Sequence, residues 1–471
     1  MTIWLPELAE QRPIYKAIVS AMSRDIAEGR LGPGEQLPPQ RELAYQLGVT
    51  VGTVTRAYTE AERQGLVIGE VGRGTFVKRS SADAPLLAMP SEPQQASASS
   101  AQDFIDLSAN WPPEPPLAEE IGAVIQEECN RPGLGARLQY RRDLIGGEAA
   151  RRAVAGHLET EGLSADWREI ALTNGAQHAI FVSLLAITRP DDIVLCEELT
   201  FFAIKSAARS LSLRLRGVAM DKWGLRPDAL DAACRATQAK VLYSIPTLQN
   251  PTNRIMPTER RREIAEICRR HDVTIIEDSI YAFLLDEPPC PYANLAPERS
   301  IHVSSLSKSV APNLRLGFLR APNHLMEAMT LAVRSSSYCA TPFTHDVGLR
   351  LIESGVAARS AKAMREEAGY RQELARRYFP DAERPSGGTP LHLWLELPSP
   401  WRSGSFVHAA YRAGVGVADA EVFAIGREEV PHAVRICLAA ARTRNEMQSA
   451  LGRLAALLPR GPEAGPGLPL M

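Results

Sequence analysis

The stretch 304-SSLSKSVAPNLRLGF-318 places a lysine among serines at the end of an apolar run, with an arginine seven residues further on. The run itself, 301-IHVSS-305, is short and contains β-branched residues, which is typical of a buried strand. A lysine amine reacts with carbonyl compounds, and serines together with an arginine can bind a phosphate. The stretch therefore predicts a buried strand that ends in a ligand site.

Other short apolar runs surround this one in the sequence. They cover residues 169–173, 192–197, 240–246 and 273–278. Helical patterns such as 257-PTERRREIAEICRRH-271 lie between several of them, and this alternation predicts an α/β fold with a largely parallel sheet. Because such sheets place ligand chemistry at the carboxyl ends of their strands, we expect the site there.

The ends of these predicted strands carry polar groups that one ligand would need together. They are Ala176 and Gln177 at a predicted helix start, Asn250, Asp278 with Tyr281, and Ser305, Ser307, Lys308 and Arg315. Free N–H groups at a helix start bind phosphate, and a carboxylate keeps a pyridine nitrogen protonated. An asparagine and a tyrosine can hydrogen-bond to a ring phenolate. These chemistries indicate pyridoxal 5'-phosphate.

Each residue has a plainer explanation when it is taken alone. Lys308 could be a surface lysine, Asp278 a helix cap, and Asn250 part of a turn with Pro251. The cofactor interpretation depends on several such segments, each at a predicted strand end.

The first 79 residues show a different pattern. Apolar residues between Ile14 and Ile26 recur at helical spacing, and 40-QRELAYQLG-48 predicts a second helix that ends at its glycine. Thr50 is a candidate cap for a third helix, and 66-LVIGEVGRGTFV-77 predicts a hairpin. Three helices and a hairpin predict a winged helix-turn-helix.

Composition suggests where the domains meet. Residues 80–103 are dominated by Ser, Ala, Pro and Gln, which is typical of a flexible linker, and residues 459–471 have the character of a mobile tail. We therefore expect a DNA-binding domain at 1–79, the linker at 80–103, a cofactor domain at 104–458 and the tail at 459–471.

The bulk composition excludes several classes of protein. A formal charge of −2 argues against a chain that binds nucleic acid along its whole length, although it allows one basic patch. The seven cysteines have no paired spacing, so we expect neither a metal site nor disulfides. With no signal peptide and no apolar run of membrane-spanning length, the sequence predicts a cytoplasmic protein.

The region from about residue 104 to residue 458 resembles the fold-type I aminotransferases of classes I and II. The resemblance depends on "TNGAQHAI", "PTLQNPTN", "EDSIYAF", "SSLSKSVAPNLRLGF" and "HAVRICLA", in the order of that family. It implies Lys308 as the catalytic lysine that forms the aldimine with pyridoxal 5'-phosphate. It also implies Asp278 at the pyridine nitrogen, with Asn250 and Tyr281 at the 3'-oxygen. The phosphate would bind to Ser305, Ser307, Arg315, Ala176 and Gln177.

The same resemblance implies three further roles and shows three departures. Arg435 matches the arginine that binds a substrate carboxylate, Phe201 the aromatic residue on the ring, and Tyr140 a tyrosine that reaches a neighbouring subunit's phosphate. Asn253 stands where the family prefers glycine, Phe201 lacks the usual hydroxyl, and the stretch after Tyr140 has an altered spacing.

Residues 12–79 resemble the GntR-type winged helix-turn-helix, through "LPPQRELAYQLGV", "TVTRAY" and "GRGTFV". The resemblance implies that the second helix of the motif enters the major groove and that the wing contacts the adjacent DNA. The residues that would face DNA are Arg41, Thr50, Thr53, Thr55 and Arg56, with Arg73 and Gly74 on the wing. For Arg56 and Arg73, contact with phosphate and contact with bases are both open.

Taken whole, the chain resembles the MocR subfamily of bacterial transcription regulators. The resemblance implies a homodimer that binds a double-stranded DNA operator and senses an amino compound through pyridoxal phosphate on Lys308. A working aminotransferase that carries a DNA-binding domain is the alternative, and a sensor of pyridoxal phosphate itself is a third interpretation. The resemblance favours a regulator over an enzyme.

Overall fold

The computed structural model describes residues 4–6, 13–27, 30–32, 35–63, 66–70, 74–77, 104–139, 143–385, 387–426 and 430–462. The chain divides into two compact units, one of residues 1–91 with 424–430 and the other of residues 92–423 with 431–471. Within the described ranges, no helix has both the length and the apolar character that a membrane crossing requires. The predicted linker falls outside these ranges, as do residues 463–471 of the predicted tail.

The first unit contains three helices and a two-stranded hairpin. They are α1 (Ile14–Ala27), α2 (Gln40–Leu47), α3 (Val51–Arg63), β1 (Val67–Glu70) and β2 (Gly74–Val77). The helices bury one apolar cluster that includes Ile18, Met22, Leu43 and Val54. Helix α3 packs against both α1 and α2. This arrangement confirms the winged helix-turn-helix predicted from the sequence.

Local signals fix the ends of these helices. Gly48 follows α2 with φ 65°, a left-handed conformation that glycine adopts without strain. At the start of α3, the Thr50 hydroxyl accepts a hydrogen bond from the Thr53 N–H at 3.2 Å, so Thr50 is the predicted cap. In the hairpin, Val67 pairs with Val77 in an antiparallel register.

The second unit surrounds its largest sheet with helices. The helices are α4 (Ala118–Asn130), α5 (Leu134–Arg137), α6 (Glu148–Thr160), α7 (Ala176–Ile187), α8 (Ala203–Ser210), α9 (Pro227–Ala236), α10 (Thr258–Arg270), α11 (Tyr292–Leu295), α12 (Met326–Ser337), α13 (Pro342–Glu353), α14 (Val356–Tyr378), α15 (Ser403–Arg412) and α16 (Arg444–Leu457). The strands are β3 (Ile105–Asp106), β4 (Ile170–Thr173), β5 (Ile193–Glu197), β6 (Arg214–Val218), β7 (Met220–Asp221), β8 (Gly224–Leu225), β9 (Val241–Ser244), β10 (Thr274–Asp278), β11 (Ser300–Ser305), β12 (Gly317–Arg320), β13 (Leu393–Glu396), β14 (Val415–Gly416), β15 (Ala418–Asp419) and β16 (Ala433–Ile436).

The large sheet has seven strands in the order β4-β12-β11-β10-β9-β5-β6. Strand β12 runs antiparallel to both of its neighbours, while the other adjacent pairs are parallel. Strands β4, β9 and β11 are buried along their whole length, and this explains the mainly apolar sequences of β4 and β9. The α/β fold with a largely parallel sheet is therefore confirmed.

The predicted strands differ from the observed ones by one to three residues at their ends. The largest difference concerns residues 240–246, because β9 ends at Ser244. The next residue, Ile245, donates its backbone N–H to the Glu197 side chain at 2.9 Å instead of continuing the sheet. A buried carboxylate that captures a backbone donor has no signature in local sequence.

A smaller antiparallel sheet, β13-β16-β15, completes the second unit. It packs with α14, α15 and α16 around a separate apolar cluster that contains Phe379, Trp401, Phe406 and Leu454. Its central strand, β16, carries Arg435. The short strand β3 pairs with β14, and this pairing holds the segment that continues to Asn110.

Candidate functional site

The carboxyl ends of neighbouring strands in the large sheet bring the predicted site residues together. Asp278 is the last residue of β10 and Ser305 the last residue of β11, and these two strands pair in parallel. Lys308 lies just beyond β11, after Leu306 and Ser307, and Asn250 lies in the loop after β9. The structure thus places these predicted residues at or just beyond the carboxyl ends of neighbouring strands.

Lys308 lies at the centre of the cluster. Its ammonium group donates to the backbone oxygen of Asn110. Burial lowers the pKa of Lys308 to about 8, and the nearby charges of Arg435 and Arg315 act in the same direction. Because a neutral amine is the form that attacks a carbonyl, this environment favours the chemistry expected of Lys308.

Asp278 is a buried carboxylate with few partners. The Tyr243 hydroxyl donates to its Oδ2 at 2.7 Å, and the Ile280 N–H lies 3.4 Å from its Oδ1. Burial raises the pKa of Asp278 to about 6, although these hydrogen bonds oppose the rise. A cationic ligand, such as a protonated pyridine, would strongly stabilise the ionised form of this carboxylate.

Two residues that the sequence did not single out, Asn110 and His392, connect Tyr281 to the loop that follows Asn250. Asn110 donates its side-chain N–H to the Tyr281 oxygen at 2.8 Å. The same Asn110 nitrogen lies 3.3 Å from Nδ1 of His392. His392 in turn contacts the loop after Asn250, because its Nε2 lies 3.0 Å from the Pro251 oxygen.

Arg435 is almost fully buried and contacts Asn250 directly. Its Nη1 donates to Asn250 Oδ1 at 2.8 Å and its Nη2 to the Ser108 oxygen at 2.7 Å. The guanidinium carbon lies 4.6 Å from the centre of the Phe423 ring. Among the described residues, Nε of Arg435 has no hydrogen-bond partner. Arg435, predicted to bind a substrate carboxylate, and Asn250, predicted to contact the 3'-oxygen, therefore form one hydrogen-bonded pair.

The predicted phosphate-binding residues converge on the start of α7. Ser305 accepts a hydrogen bond from the Ser307 N–H at 3.3 Å, while the buried Ser307 hydroxyl has no partner among the described residues. Arg315, with φ 52°, donates to the Asn174 oxygen at 3.2 Å. Helix α7 begins at Ala176 and has no side-chain cap, so the first amides are free for an anion.

Two glycines allow this close approach. Gly175 has φ 90°, and a Cβ atom on it would lie 2.5 Å from an Arg315 nitrogen. A Cβ atom on Gly317 would overlap the backbone of Gly175. Any larger residue at either position would separate the arginine from the helix start.

Of the two aromatic residues predicted at the site, the structure describes Phe201 but not Tyr140. Phe201 is half-buried, and its ring centre lies 4.9 Å from that of Phe202. Tyr140 lies outside the residues that the structure describes. Asn253, which stands where glycine was expected, has φ 60° and donates to the His392 oxygen at 2.8 Å. Asparagine tolerates this left-handed conformation better than most residues do, so the departure leaves the loop intact.

The donors and acceptors of the cluster suit pyridoxal 5'-phosphate. Serine hydroxyls, an arginine and helix-start amides match a phosphate, and a buried carboxylate matches a pyridinium nitrogen. An amine with a lowered pKa matches an aldehyde. The Ser307 hydroxyl, Arg435 Nε and Asn110 Oδ1 are buried polar atoms without a hydrogen-bond partner in the described ranges, and a ligand commonly satisfies such atoms.

In the first unit, the residues predicted to face DNA lie on and around α3. Thr50 and Thr53 join their hydroxyls at 2.9 Å, and the Thr55 hydroxyl donates to the Gln40 side chain at 2.7 Å. The Arg56 guanidinium carbon lies 4.2 Å from the centre of the Tyr15 ring. Arg41 is exposed on α2.

The wing is described in part. Gly74 opens β2 with φ 115°, and a Cβ atom there would lie 2.7 Å from the Gln36 side chain. Arg73 lies outside the described residues.

Sequence reasoning missed Asn110, His392 and Tyr243. Tyr243 offered a weak signal, because it is a hydroxyl-bearing residue within a strand that is otherwise mainly apolar. Asn110 lies 171 residues from Tyr281 and 282 from His392 in the chain, so only the fold brings them together.

Comparison with known protein families covers both units. Residues 102–454 match the family described as aminotransferase class I and II, and residues 14–77 match the bacterial regulatory proteins of the gntR family. Solved structures with a similar fold include the Pyrococcus horikoshii kynurenine aminotransferase, with a TM-score of 0.70 and 23% identity over 77% of this chain and 92% of that one. Another is the α-aminoadipate aminotransferase LysN of Thermus thermophilus, with a TM-score of 0.66, 22% identity and coverage of 78% and 95%.

Among curated proteins, the similarity extends over nearly the whole chain. YdeF of Bacillus subtilis, described as an uncharacterized HTH-type transcriptional regulator, is 30% identical over 97% of this chain and 96% of its own length. YjiR of Escherichia coli, with the same description, is 28% identical over 82% of this chain and 86% of its own length.

Proposed function

We propose that this chain, which belongs to the aminotransferase class I and II family, is a DNA-binding transcription regulator whose pyridoxal-phosphate domain senses an amino compound. The chain joins its aminotransferase domain to a gntR-family helix-turn-helix, and this is the MocR-like arrangement. The observation that carries the proposal is the similarity to HTH-type regulators across both units. We place the domains at residues 1–79 and 104–458, joined by the linker at 80–103 and followed by the tail at 459–471.

The cofactor would be held by the cluster at the strand ends. When bound, pyridoxal 5'-phosphate supplies an aldehyde for amines and a ring that withdraws electrons. Lys308 would present its amine to the aldehyde, and Asp278 would keep a proton on the ring nitrogen. Ser305, Ser307 and Arg315, with the Ala176 and Gln177 amides, would bind the phosphate. Phe201 would lie on the ring and Tyr140 would reach a partner's phosphate.

Arg435 would recognise the effector. It is a cation held by Asn250 and Ser108, with an unpartnered Nε, and it therefore favours a carboxylate or sulfonate on the ligand. An effector can change DNA binding only if its affinity differs between two arrangements of the protein. We propose that the amino compound, once it engages the cofactor, shifts a homodimer between two such arrangements.

The DNA-binding surface would use Arg56 to contact phosphate. Its guanidinium lies over the Tyr15 ring, which holds it against α1, and no hydrogen bond engages its N–H groups within the described part of the chain. Arg56 and Tyr15 line an open pocket of about 730 Å³ together with Thr50 and Thr53. Base contacts would then come from the other predicted residues, Arg41, Thr50, Thr53 and Thr55, with Arg73 and Gly74 on the wing.

A second function remains a candidate because the site lacks none of the groups that transamination uses. Lys308 has a lowered pKa, Asp278 is buried at the strand end, and Arg435 is available for a carboxylate. The two functions differ in turnover. With an amino donor and a keto acid in excess, an enzyme would turn over steadily, whereas a sensor would change its visible absorption once and stop.

The direct test of the proposal uses the full chain and the DNA upstream of its own gene. Candidate amino compounds are added to the protein loaded with pyridoxal phosphate, and DNA affinity is measured by gel shift. A change in affinity that needs both the compound and the cofactor supports the proposal. If pyridoxal phosphate alone produces the whole change, the chain senses the cofactor instead.

A further inference from the structure

Three side chains, of which His392 and Tyr281 are buried and Asn110 is half-buried, form a continuous row beside Lys308. His392 is 1% exposed, and it is followed in the row by Asn110 and then by the Tyr281 hydroxyl. Asn110 also contacts Lys308 through its backbone oxygen. Because each contact in the row constrains the next, the direction of every hydrogen bond can be derived.

The first constraint fixes the tautomer of His392. Its pKa lies well below the ordinary value because the ring is buried and because Arg435 and Lys308 are positively charged neighbours, so the ring is neutral. A neutral imidazole carries one N–H. The Pro251 oxygen, 3.0 Å from Nε2, can only accept, so Nε2 carries the proton and Nδ1 is a bare acceptor.

The second constraint fixes the orientation of Asn110. Nδ1 of His392 lies 3.3 Å from one terminal atom of the Asn110 side chain, and a bare acceptor requires a donor there. That atom is therefore the amide nitrogen, since the amide oxygen would face another lone pair. The same nitrogen lies 2.8 Å from the Tyr281 oxygen and donates its second hydrogen to it.

The third constraint concerns the Tyr281 proton. Its oxygen already accepts from Asn110, so its own O–H must donate elsewhere. Among the described residues, the Tyr281 hydroxyl has Asn110 as its only hydrogen-bond partner. The O–H is thus left to a ligand, and acceptance from Asn110 strengthens it as a donor, because hydrogen bonds in a chain polarise one another.

From this we propose that Asn110 and His392 are positioning residues, which hold the Tyr281 hydroxyl as a hydrogen-bond donor toward an anionic ligand oxygen. The inference deepens the proposed function, because the anion it serves there is the ring oxygen of pyridoxal phosphate. Neither residue needs to contact that oxygen. The charged and titratable groups that face Tyr281 are Arg435, Asp278, Cys437 and the His392 ring 6.4 Å away, and only His392, which is neutral, is altered in the variants below.

The test measures the pH midpoint of the visible absorption of bound pyridoxal phosphate in the full chain. Donation from Tyr281 stabilises an anionic oxygen, so Tyr281→Phe should raise the midpoint by about one pH unit. Asn110→Leu, which removes the donor, should raise it in the same direction. Asn110→Asp should raise it at least as far, because a carboxylate would accept the Tyr281 proton. The affinity for pyridoxal phosphate should fall about tenfold or less in each case.

Two further variants distinguish positioning from a general structural effect. His392→Leu should raise the midpoint as Asn110→Leu does. His392→Gln should keep the wild-type midpoint, because the glutamine oxygen can accept from Asn110. In the Tyr281→Phe background, Asn110→Leu should cause no additional shift. An equal shift in both backgrounds would overturn the inference, and so would an unchanged midpoint in Asn110→Leu. If the wild-type chain did not bind pyridoxal phosphate, the proposed function would fail instead.

Discussion

Replacing Asp278 with asparagine should stabilise the protein without cofactor while it weakens cofactor binding. Burial raises the pKa of Asp278 from 3.8 to about 6, so at neutral pH the folded protein holds a carboxylate that burial makes costly to ionise. The shift corresponds to about 3 kcal/mol in the free energy of unfolding. Asparagine has nearly the same shape, and its oxygen can still accept from Tyr243, so the substitution removes the charge and the long contact with the Ile280 N–H.

The pH dependence follows from the sign of the shift. Well below pH 3.8 the carboxyl is protonated in both the folded and the unfolded chain, so it contributes no pH-dependent penalty. As pH rises toward 6 the unfolded chain ionises first, and the wild-type protein loses stability. The gain of Asp278→Asn over wild type should therefore grow by about 2 kcal/mol between pH 4 and pH 7.

Urea unfolding of the protein without cofactor, followed at several pH values, measures this difference. Asp381→Asn changes an exposed carboxylate and serves as the control, with no such growth expected. With cofactor, the order should reverse, because the variant loses a charged hydrogen bond to the ring nitrogen and should bind about tenfold more weakly or worse. A gain that stays constant with pH would refute the reasoning about burial.

Two other predictions concern single contacts. Gly175→Ala should weaken binding of pyridoxal phosphate about tenfold or more, because a Cβ atom 2.5 Å from an Arg315 nitrogen displaces a charged donor. Gly156→Ala is the control, because Gly156 has open space around it and the variant should bind as wild type does. Equal affinities of the two variants in a fluorescence titration would contradict the prediction. Arg56→Gln should lower the dependence of log Kd on log salt by about one phosphate contact while leaving discrimination between operator and random DNA unchanged. Tyr15→Phe should keep the wild-type salt dependence and Tyr15→Leu should lose part of it, and a loss of discrimination in Arg56→Gln would instead assign Arg56 to the bases.

The parts of the fold that local sequence predicted are those with a local cause. Gly48 ends α2 because it adopts a left-handed conformation, and Thr50 begins α3 because its hydroxyl accepts an N–H. The buried strands were visible because parallel sheets covered on both faces need continuous apolar runs. Asp278 and Ser305 were visible because each ends such a strand, and Asn250, Tyr281 and Lys308 because they lie in the segments that follow.

The parts that escaped prediction depend on contacts between distant segments. The segment with Asn110 reaches the site because β3 pairs with β14, and because the Leu107 oxygen accepts from the Cys437 N–H at 2.8 Å. Neither contact leaves a periodic pattern in the sequence. The bond between Arg435 and Asn250 joins residues 185 apart, so their roles could be proposed separately but not seen as one pair.

The central claim is that an amino compound controls DNA binding through the cofactor on Lys308. The most direct measurement is the Kd of the full chain for its upstream DNA by fluorescence anisotropy, with and without the compound, for wild type and Lys308→Ala, both supplied with pyridoxal phosphate. The account predicts a change of about fivefold or more in wild type, within the usual range for coupling between sites. It also predicts that Lys308→Ala binds DNA but does not respond to the compound. An equal response in Lys308→Ala, or an unchanged wild-type Kd alongside steady transamination, would contradict it.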